Sequence, residues 1–267
     1  MSDQRRNLYF YYPPNEETDK KLEPVKQLAI ENKFTIVEDA QEANIIISVG
    51  GDGTFLQAVR KTGFRQDCLY LGIREGDEAG LYCDFDLDNH EEMVTHMLND
   101  DIEVRRFPLI EVTVNNESTF LCLNECSVRS SLIKTIDIDV QIDDLEFERF
   151  RGDGLIVSTP TGSTGYNKST KGAVVDPLLP SMQISELASL NNNRYRTLGS
   201  SFILSKERKL RLGVRQDGND FPIIGMDNEA YSIRNVKDID VVLSDKVIKT
   251  ARLKSNSYWH RVQRTFL

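Results

Sequence analysis

The sequence is poor in several features that define whole classes of protein. Its 267 residues contain no apolar run that approaches the ~18 residues of a membrane span. The histidines are scattered without ligand spacing, and the cysteines form no Cys-x-x-Cys pair, so a metal site is not indicated and buried free thiols are expected. The cysteines are Cys68, Cys83, Cys122 and Cys126, and the histidines are His90, His96 and His260.

Positive charge is also scarce, since the formal net charge is −9 at pH 7. Binding to nucleic acid rests on clustered cations that meet phosphates, so this balance argues against nucleic acid as a principal partner. A nucleotide substrate needs only a few local cations and remains compatible. The N-terminus lacks the apolar core and cleavage pattern of a signal peptide, so we expect a cytoplasmic protein with no membrane attachment.

The remaining composition is that of an ordinary globular protein, with 39% hydrophobic and 28% charged residues. A chain of this length forms one large or two modest domains and can bury a sizeable core. Composition therefore does not indicate a particular function, and the informative features are individual stretches of the sequence.

The clearest candidate for a functional site begins with the apolar run 45–49 and continues as Gly50-Gly51-Asp52-Gly53-Thr54. The run predicts a strand buried on both sides, and the apolar pattern after the glycines predicts a helix from about Thr54. Strand, glycine turn and helix form a site where backbone N–H groups and the helix dipole can face a phosphate.

Asp52 is unexpected in such a turn, because a carboxylate would repel a phosphate. Two interpretations stay open: Asp52 is a base or a partner for a hydroxyl, or it caps the helix. The Walker pattern is excluded because no lysine follows the last glycine, and the dinucleotide fingerprint because its third glycine is missing. Gly-Gly-Asp-Gly-Thr resembles the signature of the superfamily that contains NAD kinases, lipid kinases and, more distantly, phosphofructokinases.

Strand and helix patterns alternate through the first hundred residues, which predicts an α/β domain with a doubly wound parallel sheet. The predicted strands are 8–12, 34–37, 45–49 and 68–73, and the predicted helices are 16–32, 55–61 and 90–99. The polar loop 74–82 ends at Tyr82, which either stacks on a base or only covers the loop.

From about residue 102 the pattern changes to short alternating segments separated by turn signals, which predicts an all-β, sandwich-like second domain. The predicted strands are 103–107, 110–114, 120–128, 136–142, 155–159, 182–187, 200–204, 210–214, 239–243 and 247–253. The predicted turns are 115–116, 143–144, 217–220 and 244–246. An amphipathic helix closes the chain, so the expected domains are 1–101 with 254–267, and 102–253.

A second stretch with chemical potential is Arg151-Gly152-Asp153-Gly154, followed by a strand and by Thr159-Pro160-Thr161-Gly162-Ser163-Thr164-Gly165-Tyr166. Such a segment offers many N–H and O–H donors to a hydroxylated or phosphorylated ligand, although the same residues also favour plain turns. A third cluster, Asn124-Glu125, ends an apolar strand and can hydrogen-bond a ribose diol or a carboxamide.

Together, and in this order, the three clusters resemble the signatures of the NAD kinase family, and the resemblance covers essentially the whole chain. It implies phosphoryl transfer from ATP, or from polyphosphate, to the adenosine ribose 2′-hydroxyl of NAD, giving NADP. It also implies Mg²⁺ held mainly by phosphates, and a homotetramer or dimer. Competing hypotheses are a lipid or other small-molecule kinase and a non-catalytic NAD(P)-sensing protein.

The resemblance further implies a role for individual residues. Asp52 is the proposed base, and the other residues are implied to bind the nucleotides. These are Gly51, Gly53, Tyr82, Asn124, Glu125, Arg151, Asp153, Thr161, Thr164, Gly165, Tyr166, Asn167, Lys168, Ser169, Ala188, Asp227 and Glu229. The chain departs from the family pattern in the loop 72–82, which is one residue longer and more acidic.

Overall fold

The computed structural model describes residues 6–76, 80–99, 101–131, 133–215 and 222–267. Two compact units are present: one comprises the chain up to Phe107 together with Ile248–Leu267, and the other comprises Pro108–Val247. We refer to them as the first and the second unit.

The first unit is an α/β structure. Its elements are β1 (Asn7–Tyr11), α1 (Glu16–Glu31), β2 (Thr35–Ile36), β3 (Ile45–Val49), α2 (Asp52–Lys61), β4 (Leu69–Arg74), β5 (Cys83–Asp86), α3 (His90–Leu98) and α5 (Tyr258–Phe266). The strands pair in parallel in the order β2-β1-β3-β4-β5. The predicted parallel sheet with intervening helices is confirmed.

Side-chain periodicity explains why these segments fold as they do. In β3 the residues from Ile46 to Val49 are all buried, as expected for a central strand covered on both faces. Helix α2 buries Phe55, Leu56, Ala58 and Val59, which the 3.6-residue period places on one side. The carboxyl ends of β3 and β4 therefore stand at the same edge, where Asp52 follows β3.

The second unit is mainly β structure, and its described residues also form the short helix α4 and a 3₁₀ helix at Thr161–Thr164. Its elements are β6 (Ile102–Val114), β7 (Ser118–Cys122), β8 (Glu125–Arg129), β9 (Ile136–Ile142), β10 (Leu145–Gly152), β11 (Gly154–Ser158), α4 (Tyr166–Ser169), β12 (Ser181–Leu187), β13 (Phe202–Ser205), β14 (Leu210–Val214), β15 (Ile223–Met226), β16 (Glu229–Ser232) and β17 (Asp238–Leu253). One antiparallel sheet runs β13-β12-β11-β8-β15-β16, and β10-β9-β14-β17 belongs to the other.

A single hydrophobic core joins the two sheets of this unit. It contains Val112, Ile138 and Leu212 from one sheet and Val128 and Val157 from the other, all essentially inaccessible to solvent. Buried and less buried side chains alternate along β14, whereas every residue of β11 is buried. The predicted sandwich-like domain is confirmed.

Several predicted strand boundaries were wrong. The segments 103–107 and 110–114 form one strand, β6, and 239–243 and 247–253 form one strand, β17, without the turn predicted at 244–246. The opposite error occurred at 120–128, which is split into β7 and β8. Local polar residues indicate a turn only when the partner strand also ends there, and here β6 and β17 continue.

Strands β5, β10, β15 and β16 were not predicted at all. Half of the residues of strand β10 are charged, namely Glu146, Glu148, Arg149 and Arg151, so its apolar signal is weak. The hairpin turns 115–116 and 143–144 are confirmed, with positive φ at Asn115, Asn116 and Asp143. The predicted turn 217–220 lies outside the described residues.

Strands β6 and β17 each contribute to both units, because the boundary between the units falls inside them. A boundary inside a continuous strand has no turn signal, and the domain limits at 101/102 and 253/254 stay a prediction. All four cysteines lie within the described ranges, are buried and form no disulfide, as predicted. None of the helices in the described ranges is long and apolar enough to cross a membrane.

Candidate active site

The turn after β3 is built on a residue that must be glycine. Gly50 has φ +136°, and a Cβ at this position would lie 2.5 Å from Oγ1 of Thr54. The next residue, Gly51, precedes α2 in an extended conformation. The chain thus reverses within two residues and enters the helix at Asp52, two residues before the predicted start.

Asp52 does not cap the helix. The N-cap of α2 is Gly51, which makes no side-chain cap hydrogen bond, and the Asp52 carboxylate turns towards residues 80–82. Its Oδ2 accepts the N–H of Leu81 at 2.7 Å, and its Oδ1 accepts the N–H of Tyr82 at 2.8 Å. The capping interpretation was therefore wrong. A Cβ at Gly80 would lie 2.5 Å from Oδ1, so only glycine admits the carboxylate there.

The surroundings of Asp52 act on its charge in opposite directions. Burial is the largest effect and raises the pKa of its carboxyl group above the ordinary value. The N–H groups of Leu81 and Tyr82 lower the pKa, and so do the charges of Arg252 and Arg261. The result is a fixed, largely desolvated carboxyl group with a raised pKa, which is the environment of many general bases.

The two other predicted residues of this unit have contrasting surroundings. A Cβ at Gly53 would meet no heavy atom within 4 Å, so the backbone of the helix start is open on that side. Tyr82, in contrast, is only 2% exposed. Its ring stacks on Phe55, with centroids 4.8 Å apart, and meets Phe107 edge-on at 5.9 Å. The structure gives Tyr82 a packing role, so stacking on a base would require the ring to move.

In the second unit, Asn124-Glu125 forms the connection between β7 and β8, and Asp227 holds it. The Asp227 carboxylate accepts the N–H groups of Leu123, Asn124 and Glu125 at 3.0, 2.7 and 3.2 Å. Its own N–H donates to the Glu125 carbonyl at 2.9 Å. Asp227, which the resemblance also implied, is thus in direct contact with the Asn-Glu pair and fixes its backbone.

Glu125 is buried beside that second carboxylate. Burial first, and then the charge of Asp227, raise the pKa of Glu125 to about 8, against a lowering by the N–H of Tyr166. Its Oε2 is buried without a hydrogen-bond partner among the described residues. A Cβ at Gly165 would approach this oxygen to 2.9 Å, so the glycine leaves room at the carboxyl group.

The hydroxyl-rich stretch after β11 packs tightly against Asn124. A Cβ at Gly162 would lie 2.0 Å from the Asn124 carbonyl oxygen. The N–H of Thr159 donates to the same carbonyl at 2.8 Å. The second and third sequence clusters therefore form one structural element, in which Gly165 also borders Glu125.

Most hydroxyl groups of this stretch serve the stretch itself. Ser163 Oγ donates to the Pro160 carbonyl at 2.5 Å, and Thr164 Oγ1 donates to the Thr161 carbonyl at 2.9 Å. An irregular buried loop must first satisfy its own carbonyls, so these two hydroxyl hydrogens are used within the loop, and contact of this stretch with a ligand stays a prediction. Thr161 Oγ1 is different, since it is buried and has no partner in the described chain.

Asn167 is likewise an internal residue. Its side-chain amide donates to the Ser163 carbonyl at 3.1 Å, and its Oδ1 accepts the hydroxyl of Ser185 at 2.5 Å. Lys168 and Ser169 are exposed, and Tyr166 is half-buried, with the Arg129 guanidinium 5.8 Å from its ring centre. The accessible part of the loop is therefore its end, residues 165–169.

The remaining predicted residues of this unit lie at the ends of strands. Arg151 donates from Nε to Thr135 Oγ1 at 3.0 Å and from Nη1 to the Tyr195 hydroxyl. Asp153 is exposed between β10 and β11, and Ala188 follows β12 with φ +46°. Glu229, at the start of β16, accepts the hydroxyl of Tyr231 at 2.6 Å.

Sequence reasoning missed the charged residues that surround the first cluster. Arg252 and Arg261 have fully buried side chains and flank Asp84, which is also fully buried. Gly80, which makes room for Asp52, was likewise not singled out. The available signal was weak: an arginine at the end of a long strand and another in the closing helix, each surrounded by ordinary charged residues.

Known proteins resemble this chain along its whole length. A family model described as the ATP-NAD kinase C-terminal domain matches residues 123–253. NAD kinase 2 of Bacillus subtilis (strain 168) is 64% identical over 267 residues, with 100% of both chains covered. NAD kinase 2 of Oceanobacillus iheyensis is 59% identical over 264 residues, with 99% of each chain covered.

Solved structures share the fold at low sequence identity. A yeast NADH kinase complexed with NADH has a TM-score of 0.81 at 19% identity, over 98% of this chain and 87% of that one. An NAD kinase from Archaeoglobus fulgidus in complex with ATP has a TM-score of 0.75 at 24% identity, over 97% and 98% of the two chains. Given the full-length relatives at about 60% identity, the chain belongs to the NAD kinase family.

Proposed function

We propose that this protein is an NAD kinase that transfers the γ-phosphoryl group of ATP to the 2′-hydroxyl of the adenosine ribose of NAD. The observation that carries the proposal, beside membership of the family, is the buried Asp52 carboxylate at an open glycine turn. Phosphoryl transfer needs positioning, charge neutralisation and an acceptor for the hydroxyl proton, and this turn has the parts for each.

Asp52 is the proton acceptor in this mechanism. The ribose 2′-oxygen forms a bond to the γ-phosphorus, the bond from that phosphorus to the β,γ-bridging oxygen breaks, and ADP leaves. The hydroxyl proton passes to Asp52, whose raised pKa makes it a stronger base than an ordinary aspartate. The two backbone N–H groups keep the carboxylate in one orientation, so no reorganisation is needed during the reaction.

The start of α2 receives the phosphates. Gly51 and Gly53 carry no side chain there, and the space beside Gly53 is open within 4 Å. A helix N-terminus of this length presents N–H groups and a partial positive charge to an anion. A Mg²⁺ ion that arrived with ATP would be held mainly by the phosphates and would neutralise charge that develops in the transition state.

NAD contacts the connection 124–125 and the end of the hydroxyl-rich loop. Asn124 and Glu125 bind ribose hydroxyl groups, and at neutral pH the raised pKa of Glu125 makes it a hydrogen-bond donor. Tyr166 is the aromatic platform, since its ring is half-buried beside Arg129. The other proposed contacts are Thr161, Thr164, Gly165, Asn167, Lys168, Ser169, Arg151, Asp153, Ala188, Asp227 and Glu229, with Asn167 and Asp227 acting by fixing the backbone.

The proposed setting is the cytoplasm, and the proposed assembly is a homotetramer or dimer, both of which follow from the resemblance to the family. Polyphosphate is an alternative phosphoryl donor. These finer points affect the conditions of the assay rather than the chemistry at Asp52.

The test is the formation of NADP from NAD and Mg·ATP by the purified protein, detected with an NADP-specific dehydrogenase. The same preparation is offered diacylglycerol and radiolabelled ATP. NADP without labelled lipid is the expected result. Labelled lipid without NADP would make the chain a lipid kinase, and binding of NAD without any transfer would make it a nucleotide-sensing protein.

A further inference from the structure

The C-terminal segment brings two arginine side chains into the interior of the first unit. Arg252 is near the end of β17 and Arg261 is in α5, and both side chains are fully buried, as is Asp84 on β5. A guanidinium group keeps its charge when it is buried, and its desolvation must be compensated by nearby anions. The next step is therefore to identify the anions that compensate the charges of these two arginines.

Asp84 supplies one compensating charge. Its Oδ1 lies 3.4 Å from Nη1 of Arg252 and 3.3 Å from Nη1 of Arg261. Its oxygens also accept the N–H of Leu253 at 3.0 Å and the side-chain amide of Asn256 at 2.9 Å. One carboxylate beside two guanidinium groups leaves one positive charge that Asp84 does not match.

The unmatched charge lies beside the segment that holds Asp52. Within the described ranges, Nη1 and Nη2 of Arg252 and Nε and Nη2 of Arg261 have no hydrogen-bond acceptor. The Arg252 guanidinium lies instead 5.9 Å from the ring centre of Tyr82, the residue whose N–H binds Asp52. Residues 81–84 are thus bound at one end to Asp52 and at the other, through Asp84, to the C-terminal segment.

We propose that Arg252 and Arg261 are positioning residues for Asp52, supplying its counter-charge and fixing the segment 81–84 that orients its carboxylate. The proposal rests on the proposed role of Asp52 as the proton acceptor. It assigns a function to the return of the C-terminal segment into the first unit: the segment completes the electrostatic environment of the glycine turn.

The charged and titratable groups around Asp52 set the sign of the expected effect. Arg252 from β17 and Arg261 from α5 both lower the pKa of Asp52, against the larger effect of burial. The Cys83 thiol from β5 also faces Asp52, but burial raises the pKa of that thiol to about 12, so it is neutral. Burial and the charge of Arg252 lower the pKa of Arg261 to about 10, which leaves it charged at neutral pH.

Loss of a guanidinium group must therefore raise the pKa of Asp52, because burial is then less compensated. Loss of the Asp84 charge must act in the opposite direction, because the arginines then face Asp52 without their other anion. A merely structural role for these residues produces no such pair of opposite shifts.

The experiment compares Arg261→Met with Arg261→Lys, with Asp84→Asn, and with the control Arg264→Met, which removes an exposed arginine from the same helix. The acid limb of kcat/KM for NAD is measured for each. Independently of activity, the Asp52 carboxyl group is titrated by ¹³C NMR in the free protein, with its signal assigned by its absence in Asp52→Asn.

In Arg261→Met we expect the acid limb and the NMR titration to move to higher pH by about one unit. Arg261→Lys restores most of the shift, Asp84→Asn moves both to lower pH, and Arg264→Met leaves them unchanged. An unmoved Asp52 titration in Asp84→Asn, or in a folded Arg261→Met, would overturn the inference. Loss of rate at every pH without a shift would also overturn it. A wild-type protein that makes no NADP would instead refute the proposed function, while the NMR titration still decides the inference.

Discussion

Each unit of this protein buries a carboxyl group beside a glycine, but the two groups have opposite electrostatic surroundings. Burial raises the pKa of Asp52, while two backbone N–H groups and two guanidinium groups act in the opposite direction. Glu125 has a second carboxylate, Asp227, as its neighbour, and its pKa is raised to about 8. Desolvation raises the pKa of both groups, and the neighbouring charges then act on them in opposite directions.

This difference separates two chemical tasks. A carboxyl group that cations and N–H donors hold towards its ionised form can accept a proton from a substrate hydroxyl. A carboxyl group that keeps its proton at neutral pH can donate a hydrogen bond to a ligand oxygen. Different electrostatic surroundings are a common way of assigning different roles to two acids.

The largest expected effect is that of Asp52→Asn. The amide keeps the size of the side chain but cannot accept the hydroxyl proton, so we expect kcat to fall by about 10²–10⁴-fold while NAD binding persists. Steady-state rates and calorimetric NAD binding measure the two quantities. A variant that turns over at a near-normal rate would remove Asp52 as the base.

The next prediction compares glycine substitutions in the hydroxyl-rich loop and in the turn before α2. In Gly162→Ala the new Cβ would lie 2.0 Å from the Asn124 carbonyl oxygen, so we expect a loss of about 3 kcal/mol or more in unfolding free energy. Gly53→Ala is the matched control for folding, because its Cβ meets no heavy atom within 4 Å. Urea unfolding of both variants tests this contrast.

Gly53→Ala has its own prediction for activity. If phosphates approach the open side of this helix start, the added methyl group obstructs them, and kcat/KM should fall at least tenfold, about 1.4 kcal/mol in the transition state. A fully active and stable Gly53→Ala protein would show that the phosphates do not bind there.

The smallest effect concerns stability and its pH dependence. The folded pKa of Glu125, about 8, lies above its ordinary value of 4.5. Between those values the folded state binds more protons than the unfolded state, so this group makes stability fall as the pH rises. Glu125→Gln removes that fall, and we expect it to gain at least ~1 kcal/mol relative to the wild type between pH 5 and pH 8. Equal pH dependence of the two proteins would contradict the raised pKa.

Much of this architecture could be predicted from sequence because its signals are local. The apolar run of β3, the amphipathic stripe of α2 and the glycines around Asp52 each specify a conformation within a few residues. The contact of Asn124 with Gly162 could not be derived in this way, since it depends on the pairing of β8 with β11. The resemblance to a family brought those clusters together before the structure did.

The features that the sequence did not reveal depend on packing and strand pairing rather than on a local pattern. Polar residues at 244–246 predicted a turn, but the neighbours of β17 keep it extended. Ser163 and Thr164 donate their hydroxyl hydrogens to carbonyls of their own loop, which the sequence did not indicate. Arg252 and Arg261 carry no local signal at all, because their importance arises from burial beside Asp84 and from the charge of Asp52.

The most direct test of the central claim is the pH dependence of kcat/KM for NAD in the wild type and in the residual activity of Asp52→Asn. If Asp52 accepts the hydroxyl proton, the wild-type rate falls on the acid side as this carboxyl group is protonated, and the residual rate of the variant is flat over the same range. An acid limb at the same pH in both proteins would assign the titration to another group and contradict the account.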